Sequence, residues 1–282
     1  MEIKSYEQYQ QAVKTIREDI QFMLDRENPR TKCIMIAGEP GIGKTYIAEE
    51  VLLNQTKRPY VPAKSISASS LFKAMWDDPD GIIMFDDSDK ILMDKGDGAT
   101  VLKAATDMYN VRELAWRKCN YQMVKIPRNL RNNEEIKQYV KHVADQDKKL
   151  QALHQRGELY PNRFYFTGLM VILTNKTLRE ISKATDGALA NRAKHFELTF
   201  DLNGALELIK HASEIMTDCD QSMLKSSVDF LTSDDAVHYC ERTGKRPTFR
   251  TINKVIEEIE KGRKLDAHTL ETCLEFPTFK EE

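Results

Sequence analysis

The chain has 282 residues, of which 41% are hydrophobic and 30% are charged, and its formal net charge is −2 at pH 7. That length provides for a substantial core in one large domain or two modest ones, and the balanced charge excludes a globally basic nucleic-acid or membrane-surface binder while leaving a local patch open. A polar start, no apolar run near the roughly 20 residues of a membrane span and five scattered cysteines indicate a soluble, cytoplasmic protein with reduced thiols.

The first two hundred residues alternate between helical and strand patterns. Apolar residues three or four apart predict an amphipathic helix over 5–25. Strand patterns follow at 33–38, 60–67, 81–87, 166–175 and 195–200, with helical patterns between them, among them 98–109 and a short helix near 187–193. Such alternation predicts a parallel α/β sheet flanked by helices in a large domain, residues 1–200. From residue 201 to 282 the pattern is helical throughout, which predicts a small all-helical second domain.

A phosphate-binding loop is the most specific motif in the sequence. The stretch GEPGIGKT, residues 38–45, fits G-x-x-x-x-G-K-[ST] and stands between a predicted strand and a predicted helix. Its backbone N–H groups and the helix N-terminus suit phosphates, Lys44 suits the β and γ phosphates, and the Thr45 hydroxyl suits Mg²⁺. The alternative is a Gly/Pro turn that binds nothing. The predicted nucleotide-binding residues are Gly38, Glu39, Pro40, Gly41, Ile42, Gly43, Lys44, Thr45 and Tyr46.

Two adjacent acids end the strand GIIMFDDSDK, residues 81–90. In a P-loop fold the acid that ends a second parallel strand orients Mg²⁺, and we assign Asp86 to that role together with Thr45. Asp87 would then lie near the attacking water as a general base or orienting group. The alternative is an exposed acidic turn, and we expect Asp89 to be an exposed turn residue of that kind.

The ordered set of motifs resembles an AAA+ ATPase over about residues 30–260 and, more loosely, ATPases of this type encoded by bacteriophages. The resemblance implies a P-loop NTPase sheet with a helical lid, ATP as substrate and Mg²⁺ as cofactor. It also implies that Asn175, in VILTN, positions the lytic water and that Arg192, in GALANRAKHF, reaches a neighbouring subunit's nucleotide. Arg250, in RPTFRTINKV, would contact the γ-phosphate from the lid.

Each of these three roles has an alternative. Asn175 could cap the end of its strand. Arg192 could form a surface ion pair; Arg179 is then the alternative arginine finger, the residue that reaches a neighbouring subunit's nucleotide. Arg250 could serve only its own helix, and Arg246 is then the alternative contact to the γ-phosphate. Arginine suits both phosphate-contacting roles because its planar fork stays charged and can bind phosphate oxygens bidentately. A finger supplied in trans would require a homo-oligomer, a ring or a helical array, with a hexamer as one option.

The departure from the AAA+ pattern lies at Asp87, where the family usually has glutamate. Aspartate sets its carboxylate about 1.5 Å further back, one bond length. A misplacement of about 1 Å can slow a reaction by around a hundredfold. We therefore expect slow hydrolysis that depends on assembly.

Two segments are candidates for contact with a partner. The loop after the second strand lacks the aromatic–apolar–glycine trio of protein-threading relatives, and its Lys64 suits a phosphate backbone or stays solvated. An insertion at about 110–163 precedes Asn175, and its first part, 111–131, contains Trp116, Tyr121 and a strip of net charge +5. Such a strip suits nucleic acid. The alternative is that Trp116 packs in the core and that the charged residues simply face solvent. The cations are Arg112, Arg117, Lys118, Lys125, Arg128 and Arg131; of these, Arg112, Arg117 and Lys118 are the predicted contacts.

The next part of the insertion, 132–157, predicts one amphipathic helix interrupted near Asp147. Three functions follow from these patterns. The first is an oligomeric ATPase that remodels or loads a nucleic-acid-associated complex. The second is an ATPase that remodels protein complexes without contacting DNA, and the third is a scaffold that binds ATP, assembles and hardly hydrolyses it.

Overall fold

A central sheet of six parallel strands organises the chain. The computed structural model describes residues 2–55, 57–64, 67–87, 89–93, 96–116, 120 and 122–276. The strands of the sheet are β1 (Glu2–Ile3), β2 (Cys33–Gly38), β3 (Tyr60–Lys64), β4 (Ile82–Asp86), β9 (Leu169–Thr174) and β10 (Lys194–Phe200). They lie side by side in the order β1-β10-β2-β9-β4-β3.

Helices cover both faces of this sheet, which is why its central strands are continuous apolar runs. The helices that precede β10 in the chain are α1 (Tyr6–Leu24), α2 (Lys44–Asn54), α3 (Ala68–Asp77), α4 (Asp89–Met93), α5 (Asp97–Ala105), α6 (Asn133–Asp145), α7 (Lys148–Gln155) and α8 (Leu178–Ala184). Ile34 and Ile36 of β2 face a core shared with α1, α2 and the C-terminal helices. Met35, between them, faces the core built with α3 and α5. The predicted α/β fold class is confirmed.

The insertion packs against α3. Its strands β5 (Arg112–Ala115) and β8 (Arg163–Phe166) pair antiparallel, and β6 (Met123–Val124) and β7 (Tyr160–Pro161) pair in parallel. Trp116 is half-buried and packs edge-on against Phe72 with ring centroids 5.6 Å apart, so this tryptophan packs against the core. The single helix predicted over 132–157 is in fact two, α6 and α7, because the Asp147 side chain accepts hydrogen bonds from two backbone N–H groups and caps the second helix.

The chain after β10 is helical in the described residues. The helices are α9 (Leu202–Lys210), α10 (Ala212–Ile215), α11 (Gln221–Leu231), α12 (Asp234–Thr243), α13 (Phe249–Glu260) and α14 (Ala267–Cys273). The helix predicted near 187–193 was wrong, since that stretch forms turns. The helix lies earlier, in α8, which Thr177 and Glu180 begin with a reciprocal capping box. Among the described helices, none is long and apolar enough to cross a membrane.

Candidate functional site

The loop 38–45 leaves the end of β2 and turns into α2. Gly41 and Gly43 have φ values of 76° and 90°, in the left-handed region that favours glycine. A side chain at Gly41 would also place its Cβ 2.7 Å from the Thr248 hydroxyl oxygen. Both glycines therefore have backbone conformations that a side chain would strain, and Gly41 also lies too close to Thr248 for a Cβ atom. The C-terminal helices pack directly against the loop.

Lys44 begins α2 and lies against the loop's own backbone. Its Nζ donates to the carbonyl oxygens of Gly38 and Glu39 and to Oδ1 of Asn175, each at 2.8 Å. These bonds use all three donors of an ammonium group, so a phosphate oxygen can bind Lys44 only by replacing one of them. Burial lowers the pKa of Lys44 to about 8, and the nearby carboxylate of Asp86 opposes that shift.

Asp86, the last residue of β4, reaches the loop, although β9 lies between β4 and β2. The Thr45 hydroxyl donates to Oδ2 of Asp86 at 3.0 Å, and Oδ1 of Asp86 accepts the Asp87 backbone N–H at 2.9 Å. A hydroxyl oxygen beside a carboxylate is the oxygen donor set that Mg²⁺ takes in nucleotide sites. Thr45 and Asp86 therefore fit the metal that the sequence predicts there. Asp87 is exposed and has a φ of 49°.

Asn175 follows β9 and meets the loop through the bond to Lys44 described above. Its backbone N–H donates to Oδ2 of Asp89 at 3.3 Å, and the hydroxyl of Thr174 donates to Oδ1 of the same carboxylate at 2.6 Å. The expectation that Asp89 is an exposed turn residue was wrong. Asp89 begins α4 and is half-buried against the end of β9.

A cavity of about 410 Å³ opens in front of these groups. Its wall combines the loop, the acids and the C-terminal helices, and it includes Arg250, so the predicted lid arginine lies at the cavity. A second cavity of about 390 Å³ shares Tyr9, Tyr46 and Ile215 with the first. The residues lining the first are Tyr9, Pro40, Gly41, Gly43, Lys44, Thr45, Tyr46, Asp86, Asp87, Asn175, Ile215, Met216, Phe249, Arg250 and Asn253.

Arg246, the rival of Arg250, has a different position. Its guanidinium lies 3.5 Å from the Glu39 carboxylate and donates to the carbonyl oxygen of Phe200, at the end of β10. It is absent from the cavity wall formed by described residues. Arg246 therefore joins the C-terminal helices to the loop and the sheet, while Arg250 faces the space a nucleotide would fill.

Arg192 lies at the amino-terminal end of β10, which is the opposite end of the parallel strands from the loop. It precedes β10, whose first residue Lys194 pairs with Ile34, four positions before Gly38. At about 3.3 Å per residue, the loop is some 13 Å further along the strands. Arg192 forms an ion pair with Asp107 at 3.5 Å. This is the surface pair foreseen as the alternative, and a role in a neighbour's site stays a prediction.

The predicted nucleic-acid contacts separate into three groups. Arg112 is 3% exposed, and its guanidinium donates to the carbonyl oxygens of Phe166 and Gly168. Its prediction as a contact was wrong because a buried guanidinium cannot reach a phosphate backbone. Lys64 is exposed and lies 3.6 Å from Glu49, so its role stays a prediction. Arg117 and Lys118 lie outside the described residues.

Some residues at the site carried no motif in the sequence. The Tyr9 hydroxyl donates to the Ile42 carbonyl oxygen at 3.0 Å, which ties α1 to the loop. Ile215 and Met216 line the cavity from the end of α10. Their apolar side chains gave no signal in the sequence, because any helical core residue has the same character. Asp89 did give a signal, since it follows Asp86 by three residues, but it was taken for an exposed turn residue.

Comparison with known proteins bears on the first part of the chain. A family model described as Novel STAND NTPase 3 matches residues 9–88, which include the loop and both acids. This part of the chain is therefore similar to a P-loop NTPase, and it contains the loop residues that the sequence predicts to bind a nucleotide. No curated protein matches the sequence.

One solved structure similar to the chain is the RuvB Holliday junction branch migration motor of Thermotoga maritima. The two are 12% identical, the match covers 96% of this chain and 70% of that one, and the TM-score is 0.34. A likeness at that level carries no argument about the function of this chain.

Proposed function

We propose that this P-loop NTPase binds ATP with Mg²⁺ and hydrolyses it to ADP and phosphate as a homo-oligomer. The observation that carries the proposal is the convergence of Lys44, the Thr45–Asp86 pair and Asn175 on one cavity. These groups come from three separate strand ends. A Gly/Pro turn that binds nothing would not need an ammonium, a carboxylate and an amide held together there.

Each residue has a part in phosphoryl transfer. The loop's N–H groups and Lys44 bind the phosphates, while Arg250 contributes a further cation from the lid side. Mg²⁺, held by Thr45 and Asp86, would neutralise charge on the phosphate oxygens. Asp87 accepts a proton from the attacking water, and Asn175 orients that water. The smaller second cavity, next to Tyr46, offers room for the nucleoside.

Arg192 completes the site from a second copy of the chain. Within its own chain it stands about 13 Å from the loop along the strands, so it cannot serve its own nucleotide. An arginine supplied in trans raises phosphoryl-transfer rates by roughly 10³–10⁵ in P-loop enzymes. Assembly would exchange the Asp107 partner of Arg192 for a phosphate oxygen of the neighbour.

Mixing two inactive variants tests this arrangement. Arg192→Ala has an intact site but lacks the arginine finger, and Asp87→Asn has the finger but lacks a working site, so each alone should be nearly inactive. In their mixture the intact site of one variant can receive Arg192 from the other, and ATP turnover should return. Mixing Asp87→Asn with Lys44→Ala is the matched control, because both carry the finger and neither carries a working site. A first mixture as inactive as the control would refute the trans finger.

We further propose a nucleic-acid-associated client, contacted through the exposed cations Lys125, Arg128 and Arg131. Replacing all three by alanine should weaken binding of labelled DNA and lower the salt dependence by about one unit of slope for each phosphate that is no longer neutralised. The control replaces three exposed lysines of α6 and α7, Lys141, Lys148 and Lys149. Equal losses in both triple variants, or ATP turnover indifferent to DNA, would favour a client made of protein alone.

A second candidate, an ATP-gated scaffold with little hydrolysis, is favoured by one observation at the site. Asp87 stands where the AAA+ pattern has glutamate, in a backbone conformation that is uncommon for a residue with a side chain. Asp87→Glu separates the two functions. Faster turnover in the variant, with ATP-dependent assembly already complete in the parent, would support the scaffold.

A further inference from the structure

Asp89 connects the end of β9, at Thr174 and Asn175, to the segment that carries Asp86 and Asp87. One of its carboxylate oxygens accepts the Thr174 hydroxyl at 2.6 Å, and the other accepts the Asn175 backbone N–H at 3.3 Å. Thr174 is itself buried, and its oxygen accepts the Lys176 backbone N–H at 3.0 Å. The last residue of β9 and the first residue after it are therefore held by one carboxylate.

The Asn175 side chain projects from the position that this carboxylate holds. Its Oδ1 accepts the Lys44 ammonium at 2.8 Å, beside the cavity. An amide that must orient a water molecule needs its own backbone held within a few tenths of an ångström. We propose that Asp89 is a positioning residue, which holds the end of β9 so that the Asn175 amide faces Lys44 and the phosphates.

The location of Asp89 makes this contact a link between two parts of the site. Asp89 follows Asp87 by two residues and begins α4, so the acids and the positioning carboxylate share one short stretch of chain. This inference rests on the proposed function, because it names what aligns the proposed water-orienting residue.

The substitution Asp89→Asn removes one of the two bonds. An asparagine side chain offers one acceptor oxygen and one donor NH₂ group, so it can still accept from Thr174 while its NH₂ group opposes the Asn175 N–H. We expect kcat to fall about tenfold, as for other supporting contacts around a reacting centre, while KM and nucleotide affinity stay within about twofold. Lys90→Ala, an exposed change on the same helix, is the control.

A double-mutant cycle separates positioning from general structural support. If Asp89 acts through Asn175, then Asp89→Asn should lower single-turnover rates in the wild-type background and leave the rate unchanged in an Asn175→Ala background. A purely structural carboxylate would lower the rate by the same factor in both backgrounds, which would overturn the inference.

An NMR measurement tests the positioning role of Asp89 whether or not the chain hydrolyses ATP. The Asn175 side-chain NH₂ signals, assigned by their loss in Asn175→Ala, should shift in Asp89→Asn and stay in place in Lys90→Ala. Unmoved signals in Asp89→Asn would overturn the inference even if ATP turnover is normal. Absent turnover in the wild type, with the signals shifted, would instead count against the proposed hydrolysis alone.

Discussion

Two buried cations of this chain have opposite surroundings. Lys44, 8% exposed, lies at a cavity of about 410 Å³ with acids from a second strand nearby. Arg112, 3% exposed, is the first residue of β5; its guanidinium is bound to two carbonyl oxygens and lies over the Phe166 ring of β8 at 4.9 Å. Burial lowers the pKa of both, Lys44 to about 8 and Arg112 to about 10.

The difference shows that burial of a cation does not by itself indicate function. What marks Lys44 is the space in front of it and the carboxylates across that space, which suit a ligand of high negative charge. Arg112 lines neither of the two cavities described above and instead binds the backbone carbonyl oxygens of Phe166 and Gly168. It therefore stabilises the insertion, and the comparison predicts that the two cations fail in different measurements.

The largest expected effect is that of Lys44→Ala on ATP turnover. Loss of one preorganised cation at the transferring phosphoryl group lowers rates by roughly 10²–10³, and nucleotide affinity should fall too. Steady-state turnover and binding of a fluorescent nucleotide measure both effects. The thermal midpoint should change little, because water entering from the cavity can donate to the three oxygens that lose the Lys44 ammonium. Normal nucleotide binding would contradict the assignment of the site.

Arg112→Met should act on stability instead. It leaves two buried carbonyl oxygens without their donor, which destabilises by about 1–3 kcal/mol. Denaturant unfolding should show this loss, while nucleotide affinity stays unchanged. Lys125→Met, an exposed cation of the same insertion, is the control and should lie within about 0.5 kcal/mol of the parent. A change in nucleotide affinity from Arg112→Met would erase the contrast with Lys44.

The smallest expected effect is a dependence of nucleotide binding on pH. A lysine whose pKa is lowered to about 8 is charged below that pH and neutral above it. Affinity for an anionic nucleotide should therefore be full below pH 8 and then fall by at most about tenfold per pH unit. Titrations from pH 7 to 9.5 measure this fall. Lys44→Arg stays charged throughout and should remove the dependence; a fall of equal size in that variant would point to another group.

Local pattern was enough for much of the fold and for the centre of the site. The loop 38–45, the strand that ends in Asp86 and the strand that ends before Asn175 could be predicted because strand, turn and helix signals are short-range. Asp89 and Arg112 were misjudged for a common reason. Whether a charged residue faces solvent or a hydrogen-bonding partner inside the protein depends here on a strand about 50–85 residues away.

The sequence by itself determined the class of the protein, since eight consecutive residues between a strand and a helix are enough to specify a phosphate-binding loop. It also determined that the last third is helical, because apolar spacing is a local property. Only the tertiary structure decided which of two arginines in RPTFR faces the cavity, that Arg192 stands at the opposite end of the strands from the loop, and that Asp89 contacts Asn175. The first position follows from the packing of α13 against the loop. The other two follow from the parallel register of strands distant in sequence, and no local pattern encodes that register.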